Sequence, residues 1–336
     1  MTSAVDSVLA YHERTKHYLD HYARSLGYLD WASQPIPFRR YEGAPCVTLE
    51  YGDNSQGPLY RDLYTSSITP NPITFQSISQ LFYYSMALSA WKNIPGGKDG
   101  NSWSLRVNPS SGNLHPTESY LIIGPQASPY VKSGLYHYNS YHHALELRRS
   151  LNKHLWKVLA REIPKNGFFI GLSSIYWREA WKYGERAYRY CHHDVGHAVG
   201  AITIAAASLG WDTQLIDSLT DKDISILLGI EEQKGIEAEH ADCLILIYPN
   251  DKRDEIESMT GNWLSMLSEN SLEEMKNTPL LGEINQLSEN HQEWPIIDEV
   301  SLAARKIEIQ HDNYSEKFSK LPFSASVLSQ CNETAF

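Results

Sequence analysis

Cysteine, positive charge and long apolar runs are all scarce in this sequence, and each shortage closes a class of function. The 336 residues hold four cysteines, Cys46, Cys191, Cys243 and Cys331, scattered without paired spacing. That pattern makes neither a disulfide frame nor a zinc knuckle and fits reduced thiols. Lys and Arg number 29 against 40 Asp and Glu, a net charge of -11. A surface of that sign repels phosphate backbones and anionic bilayers, so neither nucleic acid nor a membrane is an expected partner. The longest mostly apolar stretch, Ala198 to Trp211, is broken by Thr203 and Ser208 and is too short for a membrane span. The N-terminal segment MTSAVDSVLAYHERTKHYLD has no basic start, apolar run or small-residue cleavage site, so a cytoplasmic protein is expected. No internal repeat is found.

What is present is the make-up of an ordered body: 42% hydrophobic and 21% charged residues, enough for one large domain or two small ones. Apolar spacing predicts a helix from Val5 to Leu26, followed by an irregular Pro-rich stretch from Trp31 to Asp62. Thr74 is an N-cap for a helix reaching about Trp91, after which Gly96, Gly97 and Gly100 open a loop. Glu118 to Gly124 reads as a buried strand, and Leu135 to Tyr138 with Ala144 to Leu147 reads as a hairpin. Phe168 to Ser173 is a further strand, then a helical pattern runs from about Arg178 to Leu209. Thr220 and Asp223 make a capping pair, Cys243 to Tyr248 is strand-like, and Ser271 with Glu274 makes a capping box. Strands and helices mix without regular alternation, which is the pattern of an α+β fold. Three parts are expected: residues 1–60 as a helix with an irregular extension, 61–250 as the core, and 251–336 as a C-terminal extension whose last residues are disordered.

The segment RVNPSSGNLHPTE, Arg106 to Glu118, carries the most chemistry. A guanidinium, two hydroxyls, a glycine and an amide stand just ahead of a buried strand, so backbone N–H groups and polar side chains can converge on a flat polar ligand such as a flavin ring. Gly112 leaves room for close contact with the ring face. The same residues also read as a turn-rich loop whose Ser and Asn satisfy local backbone.

This segment resembles the flavin-binding loop of the nitroreductase superfamily, Pro-Ser-Ser-x-Asn-x-Gln-Pro, with Pro109, Ser110, Ser111, Asn113, His115 and Pro116 at those places. Arg106 before it and Glu118 after it match the SagB-type, azoline-dehydrogenase-like branch. The run WKYGERAYRYCHHDVGHAVGAITIAAASLGW is similar to that branch's Lys-Tyr-Gly-x-Arg-x-Tyr-Arg segment, its Gly-His helix and its Ala-rich helix, and LYHYNSYHHALEL to its Tyr-x-Tyr turn. The resemblance implies a nitroreductase-like fold, a mixed or antiparallel sheet flanked by helices. It implies FMN as cofactor, bound by Arg106, Pro109, Ser110, Ser111 and Asn113, with Asp217 and Ser218 of WDTQLIDS facing flavin N5. Lys182 and Tyr183 fall on the branch's proton-removing pair. Hydride would pass through N5, either from NAD(P)H to an electrophile or from a substrate C–H to flavin and then oxygen. The implied partners are a small-molecule or peptide substrate and a second copy of the chain, since two subunits usually share the pocket.

The chain departs from the pattern in two places. The Arg-x-Ser-x-Arg element that holds the FMN phosphate is replaced by DLYTSSITPNPITF, with Arg61 the nearby cation, and Gly200 and Ala201 stand where a Gln-Asn pair is common. These departures keep a second reading open, a flavin-free domain retained for dimerisation or partner binding. Lys182 also reads as a solvent-facing residue and Tyr183 as a core residue, and Arg186 either tunes Lys182 or, with Arg189, pairs with Glu185 and Asp194. His193, Asp194 and His197 invite a zincin comparison. However, 14 His in this length give about 0.6 such His pairs by chance, and Asp is shorter than the Glu that zincins use, so no metal is assigned. The nine Trp and 21 Tyr read as core and interface anchors.

Overall fold

Runs of β-branched, leucine and aromatic residues that are buried on both faces build a central sheet. The structure is a computed structural model that describes residues 3–52, 57–64, 68–93, 102–127, 129–161, 163–257 and 269–307. The chain order of its elements is α1 (Ala4–Thr15), β1 (Tyr41–Glu42), β2 (Cys46–Thr48), α2 (Phe75–Ser85), β3 (Leu88–Asn93), β4 (Ser102–Arg106), β5 (Thr117–Ile123), β6 (Gly134–Asn139) and β7 (Ala144–Ser150). There follow α3 (Lys153–Leu159), β8 (Phe168–Ser174), α4 (Tyr176–Tyr183), α5 (Ala187–Ser208), β9 (Trp211–Ile216), α6 (Asp221–Leu228), β10 (His240–Pro249), α7 (Arg253–Glu257), α8 (Glu269–Asn277), β11 (Glu283–Ile284) and α9 (Pro295–Ala303).

Seven strands form one sheet in the order β2, β7, β6, β5, β8, β10, β9, with every neighbouring pair antiparallel. Alternation along β5 sends Leu121 and Ile123 to one face and Tyr120 and Ile122 to the other. The first face is closed by Ile78, Leu81 and Phe82 of α2 and by Ala198, Ile202 and Ala205 of α5, whose small residues let that helix lie close. The second is closed by Leu155 and Leu159 of α3 and Leu227 and Leu228 of α6. Each fully buried side chain of this kind contributes about 1.5–3 kcal/mol. The result is the expected α+β architecture, a sheet between two helical layers.

Several boundaries differ from the sequence reading. The first helix stops at Thr15, because Leu19 and Tyr22 find nothing to bury against and stay exposed, and the chain turns back through a Tyr18 N–H bond to the His21 carbonyl. The helix capped by Thr74 and Ser77 stops at Ser85, and Leu88 to Asn93 forms a strand because it finds β4 as a partner. The pattern from Arg178 to Leu209 is two helices. Gly184, at φ +54, breaks it, and a Cβ there would press on Leu26 and Trp294 at 3.0 Å. Ser271 lies inside α8 instead of capping it. Gly96, Gly97, Gly100, Cys331 and the C-terminal residues lie outside the described residues. No helix among the described residues is long and apolar enough to cross a membrane.

The start of α4 is tied to the start of β5 by buried charge. Arg178 donates to the Glu118 carboxylate and, at 2.7 Å, to the His115 carbonyl. Glu118 also meets His137 at 2.9 Å, and the other ring nitrogen of His137 meets Glu146 at 2.9 Å. On the far side, α1 lies over the junction of α4 and α5, where Tyr11 donates to the Glu185 carbonyl at 2.7 Å and Arg14 pairs with the Glu185 carboxylate at 2.6 Å.

Candidate functional site

Leaving β4 at Arg106, the chain must reverse into β5 within ten residues, and it does so through left-handed backbone at Gly112 (φ +61), Asn113 (φ +61) and His115 (φ +51). Asn tolerates that conformation better than most residues. The polar side chains of the segment build the bend. Ser110 Oγ accepts from the His115 N–H at 2.8 Å, and Asn113 donates to the Ser104 carbonyl at 2.6 Å while its oxygen meets His115 Nε2 at 2.8 Å. Ser111 donates from its N–H (2.9 Å) and its Oγ (3.0 Å) to one carboxylate oxygen of Asp194 on α5.

Above this bend stand the last residues of α4. A Cβ placed on Gly112 would lie 2.7 Å from Tyr183 Oη and 3.0 Å from Lys182 Nζ, so both tips reach the bend through the space a side chain would fill. Gly112 is exposed and Lys182 and Tyr183 are partly buried, which leaves the junction open to solvent on one side. The Tyr183 ring lies 4.3 Å from that of Tyr190, and Lys182 Nζ lies 5.6 Å from the centroid of the Tyr183 ring. Burial and the nearby Glu179 carboxyl push the Tyr183 hydroxyl up to about 12, so it keeps its proton at neutral pH.

Two acids lie behind the pair. Glu179, one helical turn before Lys182 and Tyr183, is wholly buried, and neither of its carboxyl oxygens has a hydrogen-bond partner. Burial, with Asp194 next in weight, raises its affinity for a proton well above that of an ordinary carboxyl, against the pull of Lys182. Asp194 is raised by burial too, opposed by its bonds to Ser110 and Ser111. The sequence reading did not single out Glu179. Its signal was the helical spacing of three and four residues to Lys182 and Tyr183.

The other candidate residues fall elsewhere. Arg106 is buried with its guanidinium donating to the carbonyls of Pro37 and, at 3.3 Å, Thr117, and burial lowers its pKa to about 10. Pro109 is exposed on the bend. Asp217 is exposed with its carbonyl accepting from the Lys306 ammonium, and Ser218 is buried ahead of the α6 cap. No hydrogen bond among the described residues joins either one to the Gly112 bend. They stand near a separate cavity of about 680 Å³ lined by Tyr176, Tyr188, His192, Asp221, His240 and Asp242. Asp242 occupies an irregularity in the register of β10, accepts from Ser174 Oγ at 2.7 Å, and is pushed up to about 8 by burial.

The arginine pairings weighed from the sequence do not form. Arg186 donates to Tyr190 and Arg189 to the carbonyl of His12 and the hydroxyl of Thr15, while Glu185 is taken by Arg14. His193 and His197 are exposed on α5, and the acid between them, Asp194, is spent on Ser111. Among the described residues no three His, Cys, Asp or Glu side chains gather as metal ligands.

For a flavin, the ring end meets a covered face: the Lys182 and Tyr183 tips occupy the space over Gly112 that its missing side chain leaves. The side chains of Arg106, Ser111 and Asn113 are used to shape the bend, which leaves backbone as its main offering to a ring. The phosphate end has no matching guanidinium among the described residues of the replaced element. Arg61 sits on a short helical turn, 82% exposed, 3.8 Å from Asp62.

The Nitroreductase family matches residues 69–244, just over half of the chain, a span that includes the bend, α4 and α5. The trifolitoxin-processing protein TfxB of Rhizobium leguminosarum bv. trifolii is 29% identical over 204 residues, 58% of this chain and 51% of that protein. MJ1384 of Methanocaldococcus jannaschii, named as a nitroreductase, is 25% identical over 169 residues, 48% of this chain and 77% of that one. A solved structure from Anabaena variabilis, likewise named as a nitroreductase, matches with a TM-score of 0.54 and 25% identity, over 74% of this chain and 47% of that chain. The chain thus spans about half the length of TfxB and of the Anabaena protein.

Proposed function

The chain belongs to the nitroreductase family, and from that premise we propose that it is an FMN-dependent oxidoreductase of the SagB-type branch, working where Gly112, Lys182 and Tyr183 meet. The observation that carries this reading is the convergence of two segments distant in sequence: Tyr183 Oη and Lys182 Nζ come within 2.7 and 3.0 Å of the Cβ position that Gly112 leaves empty.

FMN, when bound, supplies a hydride acceptor and donor at N5. The bend from Ser110 to Asn113 would hold its ring through backbone, with the Lys182 and Tyr183 tips moved off the Gly112 face that they cover. Lys182 takes the proton that a substrate loses as hydride departs, which avoids building up a cation on the substrate. Tyr183, protonated at neutral pH, donates a hydrogen bond that orients the reacting group. The Asp194 bonds to Ser111 tie the bend to α5.

The likeness to a trifolitoxin-processing protein favours a peptide substrate, with a small molecule as the other choice and NAD(P)H as a donor. A second copy of this chain is the proposed partner, meeting the outer face of α5, where open space lies over Gly196 and Gly200. The same reading places the protein in the cytoplasm. The spent side chains of the bend and the missing phosphate arginines favour the competing reading, a flavin-free domain kept for partner binding.

The absorption spectrum of the purified full chain, before and after incubation with FMN, separates the two. A flavin band that survives gel filtration is expected. Colourless protein that takes up no added FMN overturns the enzymatic reading.

A further inference from the structure

The cavity beside α6 has no part in the proposed reaction. It lies at the start of α4, whereas Lys182 and Tyr183 close that helix, about 9 Å further along its axis at 1.5 Å per residue. Its volume, about 680 Å³, is that of a pocket for an organic ligand and more than a bare ion needs. Four of its lining rings touch in series. His240 stacks on Tyr176 with centroids 4.1 Å apart, Tyr176 meets Tyr188 edge-on at 5.6 Å, and Tyr188 meets His192 edge-on at 4.3 Å. Burial lowers the pKa of both imidazoles, that of His240 to about 4, so this wall is uncharged at neutral pH.

The wall ends on an acid. Asp242 is the residue that the irregularity in β10 leaves unpaired with β8, and its side chain is 3% exposed. One carboxylate oxygen accepts from Ser174 Oγ at 2.7 Å, while the other has no hydrogen bond among the described residues and lies 3.8 Å from His192 Nδ1. A buried acid with an unused oxygen on a cavity lacks the partner that would offset its desolvation. The other acids of the cavity are committed. Glu239 accepts from Tyr41, Tyr120 and Ser173, Glu231 lies 3.5 Å from Arg149, and Asp221 accepts from the Lys306 N–H at 3.3 Å. Of the cations at the edge, the Lys306 ammonium is spent on the Asp217 carbonyl, and Arg305 is exposed.

We infer that this cavity is a binding site for a guanidinium, which lies against the Tyr176–Tyr188 wall and donates its N–H groups to the free oxygen of Asp242. A guanidinium suits both halves of the site, because its plane stacks on aromatic rings and its fork of N–H groups matches a carboxylate, whereas a compact ammonium holds its water more tightly. The net charge of -11 draws such a cation towards the chain. A free small guanidinium and the arginine side chain of a peptide share this chemistry. The site stands whether or not flavin binds at the Gly112 bend, and it is tested without flavin.

Isothermal titration of the purified full chain tests it with three probes: ethylguanidinium, the uncharged ethylurea, and the blocked peptide acetyl-Gly-Arg-Gly-amide. The titrations are run at about pH 8.5, above the value of about 8 to which burial raises Asp242, so that its carboxylate is charged. Saturable binding of ethylguanidinium or of the peptide is expected, and none of ethylurea. Asp242→Asn, which still accepts from Ser174, should weaken it about tenfold or more. Tyr188→Leu should weaken it about threefold, while Tyr188→Phe keeps the ring and should leave it unchanged. Tighter binding of the peptide than of ethylguanidinium assigns the site to an arginine side chain, and the reverse assigns it to a free small cation. No saturable binding of either cation by the wild type, or equal binding of ethylurea, overturns the inference. Undiminished binding in Asp242→Asn does so too. Should that variant fail to fold, equal affinities of the Tyr188→Leu and Tyr188→Phe proteins overturn it in its place.

Discussion

Arg178 holds Glu118 across the seam between α4 and β5, with both side chains buried and the guanidinium also bonded to the His115 carbonyl at 2.7 Å. One end of that link is the acid that closes the Pro-x-Glu motif, and the other starts the helix that carries Lys182 and Tyr183. The strand that follows the bend and the helix that carries the pair are therefore linked through this ion pair. Removing one partner of a buried pair leaves the other unpaired, so Arg178→Met is expected to destabilise the fold by about 3–5 kcal/mol. Urea denaturation measures it, and a loss below about 1 kcal/mol would mean the pair does not anchor α4.

His137 makes this seam sensitive to alkali. Burial alone would strip its charge, but Glu118 and Glu146 on its two nitrogens outweigh burial and raise its pKa from 6.5 to about 9. A pKa raised by folding contributes stability that is fully present below the unfolded value and is lost as pH rises through the folded one. The contribution, about 3 kcal/mol at most, should therefore fade between about pH 6.5 and about pH 9. Urea midpoints across that range are expected to fall more steeply in wild type than in His137→Gln, where the raised Asp242 carboxyl still contributes a slope up to about pH 8. A level wild-type curve would count against a charged His137.

Where the sequence pattern was local, it was legible. The Thr74 and Thr220 caps, the hairpin of β6 and β7, and the buried runs of β5 and β8 all depend on residues a few positions apart, and all appear. What failed depended on partners far along the chain. Leu88 to Asn93 carries helix-compatible spacing and becomes a strand because β4 pairs with it, and Leu19 and Tyr22 continue an apolar pattern that no other element covers. In the site, the motif names Gly112 and, apart from it, Lys182 and Tyr183, without saying that the three meet, as they do in the structure. It did not foresee that Arg106 and Asn113 would turn back onto backbone carbonyls, because a donor's spacing does not say which acceptor it will find.

Gly112 tests the convergence directly. Gly112→Ala places a methyl group 2.7 Å from Tyr183 Oη and 3.0 Å from Lys182 Nζ, on backbone at φ +61. The backbone strain is about 1–3 kcal/mol, and the two tips must move as well. The variant is expected to fold with a modestly lower Tm and to lose most turnover and FMN retention. Full turnover would show that neither tip has to reach the bend.

Asp194 tests the bend from its other side. Its carboxylate accepts the Ser111 N–H at 2.9 Å and Ser111 Oγ at 3.0 Å, and no other described group takes over that role. In Asp194→Ala both donors lose a charged acceptor, at about 1.5–3 kcal/mol. Asp194→Asn keeps one oxygen, so its cost is expected to be about half as large. Because the loss is confined to the bend, hydrogen exchange in Asp194→Ala should quicken at Ser111 and its neighbours well before the amides of β5. If exchange instead quickens equally along β5, Asp194 supports the whole core and not the bend, and its place in the site falls.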